Sequence, residues 1–266
     1  MYEEYWELSK KPFQNTPDHE FLYLSSEHEE ALMRMRYAVQ ECLGAAMLSG
    51  VFGCGKTMLV WALLAELGEN YKSAVVSNPA LDATELLREI CYQFGIKEDL
   101  PHNKTDLMHL IDRILRNNIN DGKDTVVIID EAHLIGDMMV FEELRLLLNL
   151  HLKDRFLLTL ILVGQPELEE KITNNKQLSQ RIAIKYHLDR LNKEDTKNYI
   201  YHRLKVAGRT EAIFNEETIG AIFEVSGGIP RRINHICAMS LVIGFGRKVK
   251  TIDASIVKEA AESLVG

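Results

Sequence analysis

Residues 50–57 read GVFGCGKT, a match to G-x-x-x-x-G-K-[ST], set between a short apolar run and a helical pattern. That context gives the string its force. A strand must deliver the chain to a glycine-rich turn, and a helix must leave it. Gly50, Gly53 and Gly55 admit backbone angles that point successive N–H groups inward. Those donors and the helix N-terminus together make an anion nest. In such a nest Lys56 reaches the β and γ phosphates and Thr57 offers a hydroxyl to Mg2+. Cys54 reads as a small tolerated residue. A reactive thiol is the open alternative, because a helix N-terminus lowers thiol pKa.

The surrounding pattern supplies the strands and helices such a loop requires. Ala45 to Leu48, ending in Gly50, reads as a buried strand, and Ala74–Val76, Thr125–Ile129, Leu157–Val163 and Ile182–Tyr186 follow. The β-branched run Thr125–Ile129 predicts a central parallel strand. Helical spacing covers residues 27–42, 56–67, 82–94, 105–118 and 141–152. Asp82 with Glu85 forms a capping-box start. After Asn192 only helices are expected, over 192–206, 215–225, 230–244 and 252–264. Ahead of the first helix, Tyr2, Tyr5, Trp6, Phe13, Phe21 and Tyr23 suggest an ordered arm, which Pro12 and Pro17 keep from being one long helix. The expected division is an arm over 1–26, an α/β nucleotide-binding core over 27–191 and a helical lid over 192–266. Alternating strands and helices imply a parallel sheet with helices on both faces.

Asp130 and Glu131 follow the central strand directly. Open parallel sheets bind ligands at the carboxyl ends of their strands. There Asp130 can hold Mg2+ through water, and Glu131 can polarise an attacking water. The run continues to Ala132-His133, giving DEAH, a string also met in two-lobed helicases. A second α/β lobe is not expected here, so helicase is disfavoured. His133 reads as a supporting or surface histidine rather than a catalyst.

Composition excludes several classes. The chain has 266 residues with 46% hydrophobic and 26% charged content, which argues against disorder. Its four cysteines, at 42, 54, 91 and 237, share no close spacing and suit a reducing cytosol. The acidic, unapolar start MYEEYWELSKKPF is no signal peptide, and no uninterrupted apolar run is long enough to span a bilayer. The net charge of −8 is uneven: residues 181–250 hold 13 basic and 7 acidic side chains, net +6, leaving −14 elsewhere. Such a split points to a C-terminal part with a different partner.

Taken together, these residues resemble the AAA+ ATPases, and within them the ExeA/GspA type, whose relatives serve secretion, pilus, exopolysaccharide and transposon systems. The likeness rests on Lys11-Pro12-Phe13, Thr16-Pro17-Asp18, residues 21–25, the glycine loop, residues 160–168, Gln180-Arg181-Ile182 and residues 227–234. It covers essentially the whole chain. It implies a P-loop AAA+ core with a parallel five-stranded sheet, a C-terminal α-helical lid, and ATP with Mg2+ bound between sheet edge and lid. Gly50, Gly53, Cys54, Gly55, Lys56, Thr57 and Met58 then cradle the phosphates, and Glu131 and Lys56 act in catalysis.

The same resemblance makes Gln165 a γ-phosphate sensor, its bland alternative being a polar turn residue capping the next helix. Arg181 resembles a finger offered to a neighbouring subunit, with Arg190 as the other candidate and a surface ion-pair arginine as the bland reading. Arg231, next to Pro230, resembles the lid arginine that senses the γ phosphate. Phe21, Leu22 and Tyr23 lie near the adenine or simply pack the arm. Ser179 departs from relatives that carry an arginine there, which leaves the finger assignment open. A trans finger implies a ring or helical self-assembly. Expected partners are an envelope-assembly protein or, alternatively, a transposase with duplex DNA. Because the chain stops after the lid, no membrane anchor is expected, and the location is cytoplasmic.

Overall fold

Strand character is strongest where side chains are covered on both faces, and those strands lie at the centre of the sheet. The computed structural model describes residues 2–16, 18–153 and 155–264. Pro17, one of the two prolines expected to interrupt the arm, lies outside them, as do Met1, Val265 and Gly266 at the ends of the expected arm and lid. The chain divides into two units. One comprises His28–Phe52 and Leu59–Leu188; the other comprises Met1–Glu27, Gly53–Met58 and Asp189–Gly266.

The first unit is built on α1 (Ser26–Gln40) from His28 onward, β1 (Ala45–Gly50), α2 (Lys56–Leu67) from Leu59 onward, β2 (Tyr71–Val76), α3 (Ala83–Gln93), α4 (Lys104–Asn120), β3 (Asp124–Ile129), α5 (Met138–Leu147), β4 (Thr159–Gly164), α6 (Glu167–Asn174), α7 (Lys176–Ser179) and β5 (Ile182–Leu188). The five strands form one sheet in the order β2-β3-β4-β1-β5, and every pairing is parallel. The chain runs from β1 out to β2 and returns through β3 and β4, so β1 is where the strand order reverses. Residues of β1 and β4 are buried throughout, as a continuous apolar run requires. The edge strands β2 and β5 instead mix buried and exposed positions. One core packs Val127, Ile129, Leu160 and Leu162 against Leu86, Leu87 and Ile90 of α3 and Leu107, Ile111 and Leu115 of α4.

Helix starts follow local chemistry. At α3 the Asp82 side chain accepts from Glu85 N at 2.8 Å while Glu85 Oε2 accepts from Asp82 N at 3.0 Å, closing the expected capping box. The expected helix over 141–152 is corrected to Met138–Leu147. Asp137 caps it early by accepting from Met139 N at 2.8 Å, and beyond Leu148 the chain turns into a short antiparallel bridge between His151 and Phe156. Leucines at 146, 147, 148 and 150 mimic a longer helix because they are needed for burial, not for helical continuation.

The second unit holds α8 (Lys193–Val206), α9 (Glu216–Ser226), α10 (Pro230–Arg247) and α11 (Ala254–Ser263) together with the N-terminal arm. Asn192, Asn215 and Asp253 cap α8, α9 and α11 with their side chains, and Pro230 opens α10 at the position where a missing N–H costs nothing. The arm is ordered because it completes this unit's core. Trp6 is 2% exposed and donates its indole N–H to Leu241 O at 3.0 Å. Phe13 and Phe21 join Tyr199, Ile200, Phe214 and Ile233 in the same cluster. Arg203 of α8 ties the arm down by donating to Pro12 O at 2.6 Å and Gln14 O at 2.9 Å, with its guanidinium over the Phe21 ring. No described helix is long and apolar enough to cross a membrane.

Candidate functional site

The glycine loop leaves the carboxyl end of β1 and opens α2 at Lys56. Its three glycines all have positive φ: 153° at Gly50, 86° at Gly53 and 103° at Gly55. Lys56 is only 6% exposed, and Thr57 and Met58 follow it in the first turn of α2. Within the second unit the loop packs against the start of α10. Arg231 N donates to Gly53 O at 3.3 Å, and a Cβ on Gly53 would lie 2.9 Å from Arg231 Cβ and 3.1 Å from Ile229 Cγ2. Glycine is therefore needed at 53 for both its backbone angle and the close approach. Pro230 and Arg231 thus lie beside the loop, and the Arg231 side chain is exposed.

The reactive-thiol alternative for Cys54 is corrected. The residue is fully buried, and burial raises its pKa against the opposing charges of Lys56 and Arg190. Desolvation disfavours the thiolate more than the loop's positive surroundings favour it.

At the sheet edge of the first unit, Asp130 and Glu131 follow β3. Asp130 is buried, its N–H donates to Val76 O at 2.9 Å, and its Oδ1 accepts from Glu131 N at 2.9 Å. Glu131 sits in the left-handed region at φ 52°, ψ 32°. For a glutamate this costs on the order of 1 kcal/mol, and such strain gathers at functional sites. A short 3-10 turn, Ala132–Leu134, then brings His133 back beneath the end of β4.

His133 turns out to be a connector. Its Nδ1 lies 3.4 Å from Glu131 Oε2, and its Nε2 lies 2.9 Å from the side-chain nitrogen of Gln165. Gln165 does not cap α6. Pro166 occupies the cap position and makes no side-chain cap bond. Lys171 of α6 donates to the carbonyls of His133 at 2.5 Å and Ile135 at 2.7 Å, pinning the turn. Glu131, His133, Gln165 and Lys171 are thus brought together, and the sequence had singled out neither the connecting role of His133 nor Lys171. The regular spacing of Lys171 on a polar helix carried no signal for it.

The arginines fall apart into different settings. Arg181, between α7 and β5, donates to Asn149 Oδ1 at 3.0 Å and makes no ion pair among the described residues. Arg190 is exposed just after β5, its Nη1 3.5 Å from where a side chain on Gly227 would begin. Phe21 and Tyr23 pack within the second unit: Phe21 under Arg203, and Tyr23 edge-on to Tyr199 with its hydroxyl donating to Asp195 at 3.2 Å.

Comparison with known proteins places these features. Residues 43–172 match the AAA domain family. Over 269 aligned residues the chain is 38% identical to general secretion pathway protein A of Aeromonas hydrophila, with all of this chain and 49% of that protein covered. The chain spans about half, or less, of the curated relatives it matches. Its fold is similar to the Aeropyrum pernix ORC2 protein in its ADPNP-ADP complexes, with a TM-score of 0.69 and 18% identity over 96% of this chain and 71% of that one. It is similar also to Drosophila ORC bound to DNA, with a TM-score of 0.72 and 15% identity over 98% of this chain and 66% of that one. Identities this low speak to the fold alone, whereas the secretion relative matches along the entire sequence. On motif and fold the chain carries an AAA domain of the P-loop ATPase kind, and along its whole length it is similar to general secretion pathway protein A.

Proposed function

We propose that the chain hydrolyses ATP with Mg2+ and uses the cycle to assemble or remodel a protein of an envelope export system, working as a cytoplasmic self-assembly. The observation that carries this reading is the glycine loop with a buried Lys56 at the head of α2. Lys56 would bind the β and γ phosphates. The Thr57 hydroxyl and the Asp130 carboxylate are hard oxygen donors that fit Mg2+. When bound, the ion neutralises phosphate charge. Glu131 would orient the attacking water, Gln165 would sense the γ phosphate, and Arg231 would sense it from the lid. Arg181 would act on a neighbour's nucleotide; its partner among the described residues, the neutral Asn149, leaves its charge available for that contact.

The preference for export over transposition draws on the likeness of this chain, along its whole length, to about half of a secretion protein. It draws also on how the basic excess of residues 181–250 is used. Arg203 is buried, Arg209 pairs with Glu7, Arg247 with Glu259, and Lys197 with Glu216. Basic groups engaged in such pairs leave less of the excess to displace counterions from DNA.

Steady-state ATPase assays over a range of protein concentration test the reading. Lys56→Ala should abolish nucleotide binding, and Glu131→Gln should bind ATP without turnover. Arg181→Ala should bind ATP yet hydrolyse it poorly, and mixing it with Glu131→Gln protein should restore part of the rate. Full activity of Arg181→Ala at every concentration removes the trans contribution, and ATP-dependent duplex DNA binding that falls steeply with salt would favour transposition instead.

A further inference from the structure

We propose that His133 is a positioning residue that relays the orientation of the Gln165 amide to the Glu131 carboxylate by changing tautomer. The proposal rests on the ATPase reading above, with Glu131 as the group that orients water.

The imidazole is held in place. Its side chain is 11% exposed, and Lys171 fixes the turn by its bonds to the carbonyls of His133 and Ile135. At Gly164 a Cβ would lie 3.2 Å from His133 N, so the absence of a side chain there lets the turn approach β4. With its backbone pinned and its side chain largely buried, the ring can answer a change in its neighbours by moving a proton.

Three groups address its two nitrogens. The Gln165 amide nitrogen faces Nε2 at 2.9 Å. Glu131 Oε2 and the Gln165 main-chain N–H both face Nδ1 at 3.4 Å. An amide nitrogen only donates, so in this arrangement Nε2 accepts and the ring proton sits on Nδ1. A proton there is offered to the Glu131 carboxylate, and it competes with the Gln165 main-chain N–H, which is aimed as a donor at the same nitrogen.

The other tautomer reverses both outcomes. A phosphate oxyanion offers acceptors only, so a Gln165 that reads the γ phosphate must give it the amide NH2 and turn its Oε1 to the ring. Nε2 must then donate. One proton leaves Nδ1 for water and one joins Nε2, so the ring stays neutral. Nδ1 now presents a lone pair, which accepts the Gln165 main-chain N–H and repels the carboxylate. Glu131 is released to engage water. Each tautomer satisfies one contact at Nδ1 and forfeits the other, which makes a balanced two-state element that a ligand can bias.

The test uses the full chain labelled with 15N-histidine, read by long-range proton–nitrogen spectra with ADP and with adenylyl imidodiphosphate. The His133 signals are assigned by their loss in His133→Asn. The expected result is a proton on Nδ1 with ADP and on Nε2 with the triphosphate analogue, and no change between them in Gln165→Leu. In turnover, His133→Asn and Gln165→Leu should each lower kcat roughly tenfold to a hundredfold, the scale of a misplaced catalytic group, with ATP affinity kept within about twofold. Because the two act through one path, the double variant should be no slower than the slower single. A wild-type enzyme that turns over with one His133 tautomer in both states, or losses that simply add, overturns the relay and leaves the ATPase reading intact. Failure of the wild type to bind and hydrolyse ATP sinks both.

Discussion

Replacing Arg203 by methionine should release the N-terminal arm. The side chain engages all three of its nitrogens, donating to Pro12 O at 2.6 Å, Gln14 O at 2.9 Å and the Tyr199 hydroxyl at 2.8 Å. Tyr199 in turn donates to Asn234 Oδ1 at 2.9 Å, and Asn234 donates to Asn15 Oδ1 at 2.9 Å, so one buried network joins α8, α10 and the arm. Methionine keeps the apolar stem but supplies no donor to the two carbonyls. Hydrogen bonds to a charged group are worth about 1.5–3 kcal/mol each, so three could total several times that. Two effects limit the loss. The variant no longer buries a charge, and a lifted arm lets the carbonyls of Pro12 and Gln14 find water. The net loss should settle at about 3–5 kcal/mol, as for a buried charged network deprived of one partner. For a chain of this size that lowers Tm by about 10 °C. Arg203→Lys should cost less, because a point charge still serves one carbonyl but cannot fork across two. Urea unfolding followed by circular dichroism gives the energy, and trypsin cleavage after Lys10 reports the arm. A methionine variant within about 1 kcal/mol of wild type, with the arm still protected, would refute the reasoning.

Two further outcomes can be checked directly. Burial pushes the His202 imidazole below its ordinary value of 6.5, with Arg203 and Lys205 acting in the same sense, and its Nε2 is buried without a partner. The unfolded chain therefore takes up the proton first. The stability it contributes is present above pH 6.5 and is lost as pH falls through the lower folded value. His202→Phe should flatten urea midpoints across that window, and an unchanged slope would contradict this. A thiol reagent should label the half-buried Cys42 of the native protein first and leave Cys54 untouched until unfolding, as mass spectrometry of the tryptic peptides would show; matched labelling rates would contradict the burial argument.

Much of the fold was legible because the physics behind it is local. The run Thr125–Ile129 could only be a covered strand, and Asp82 with Glu85 announced a helix start that the structure closes with two bonds. Legibility failed where one residue type serves two ends. Leucines after Leu147 looked helical and proved to be core fillers in a turn. Tyr71, Lys72 and Ser73 belong to β2 although only its last residues, Ala74 to Val76, read as a strand. At the candidate site, the loop and the Asp130-Glu131 pair stood out by their spacing. The bonds of His133 and Lys171 did not, because each depends on α6 folding back across the turn after β3. Nothing within a few residues of either position encodes that approach except Gly164, whose missing side chain means little until its neighbours are known.

The mixed character of the two outer strands has a consequence for how the protein keeps company with its own copies. Strands β2 and β5 end the sheet on either side and leave backbone groups that a foreign strand could pair with. Each carries an exposed lysine, Lys72 near the start of β2 and Lys185 at the centre of β5, with further exposed residues beside them. Docking a second strand there would strip water from an ammonium, which discourages sheets from growing edge to edge. The polar interruptions in these two strands act as gatekeepers against aggregation. They matter most in a crowded compartment, where the free sheet edges of neighbouring molecules meet often.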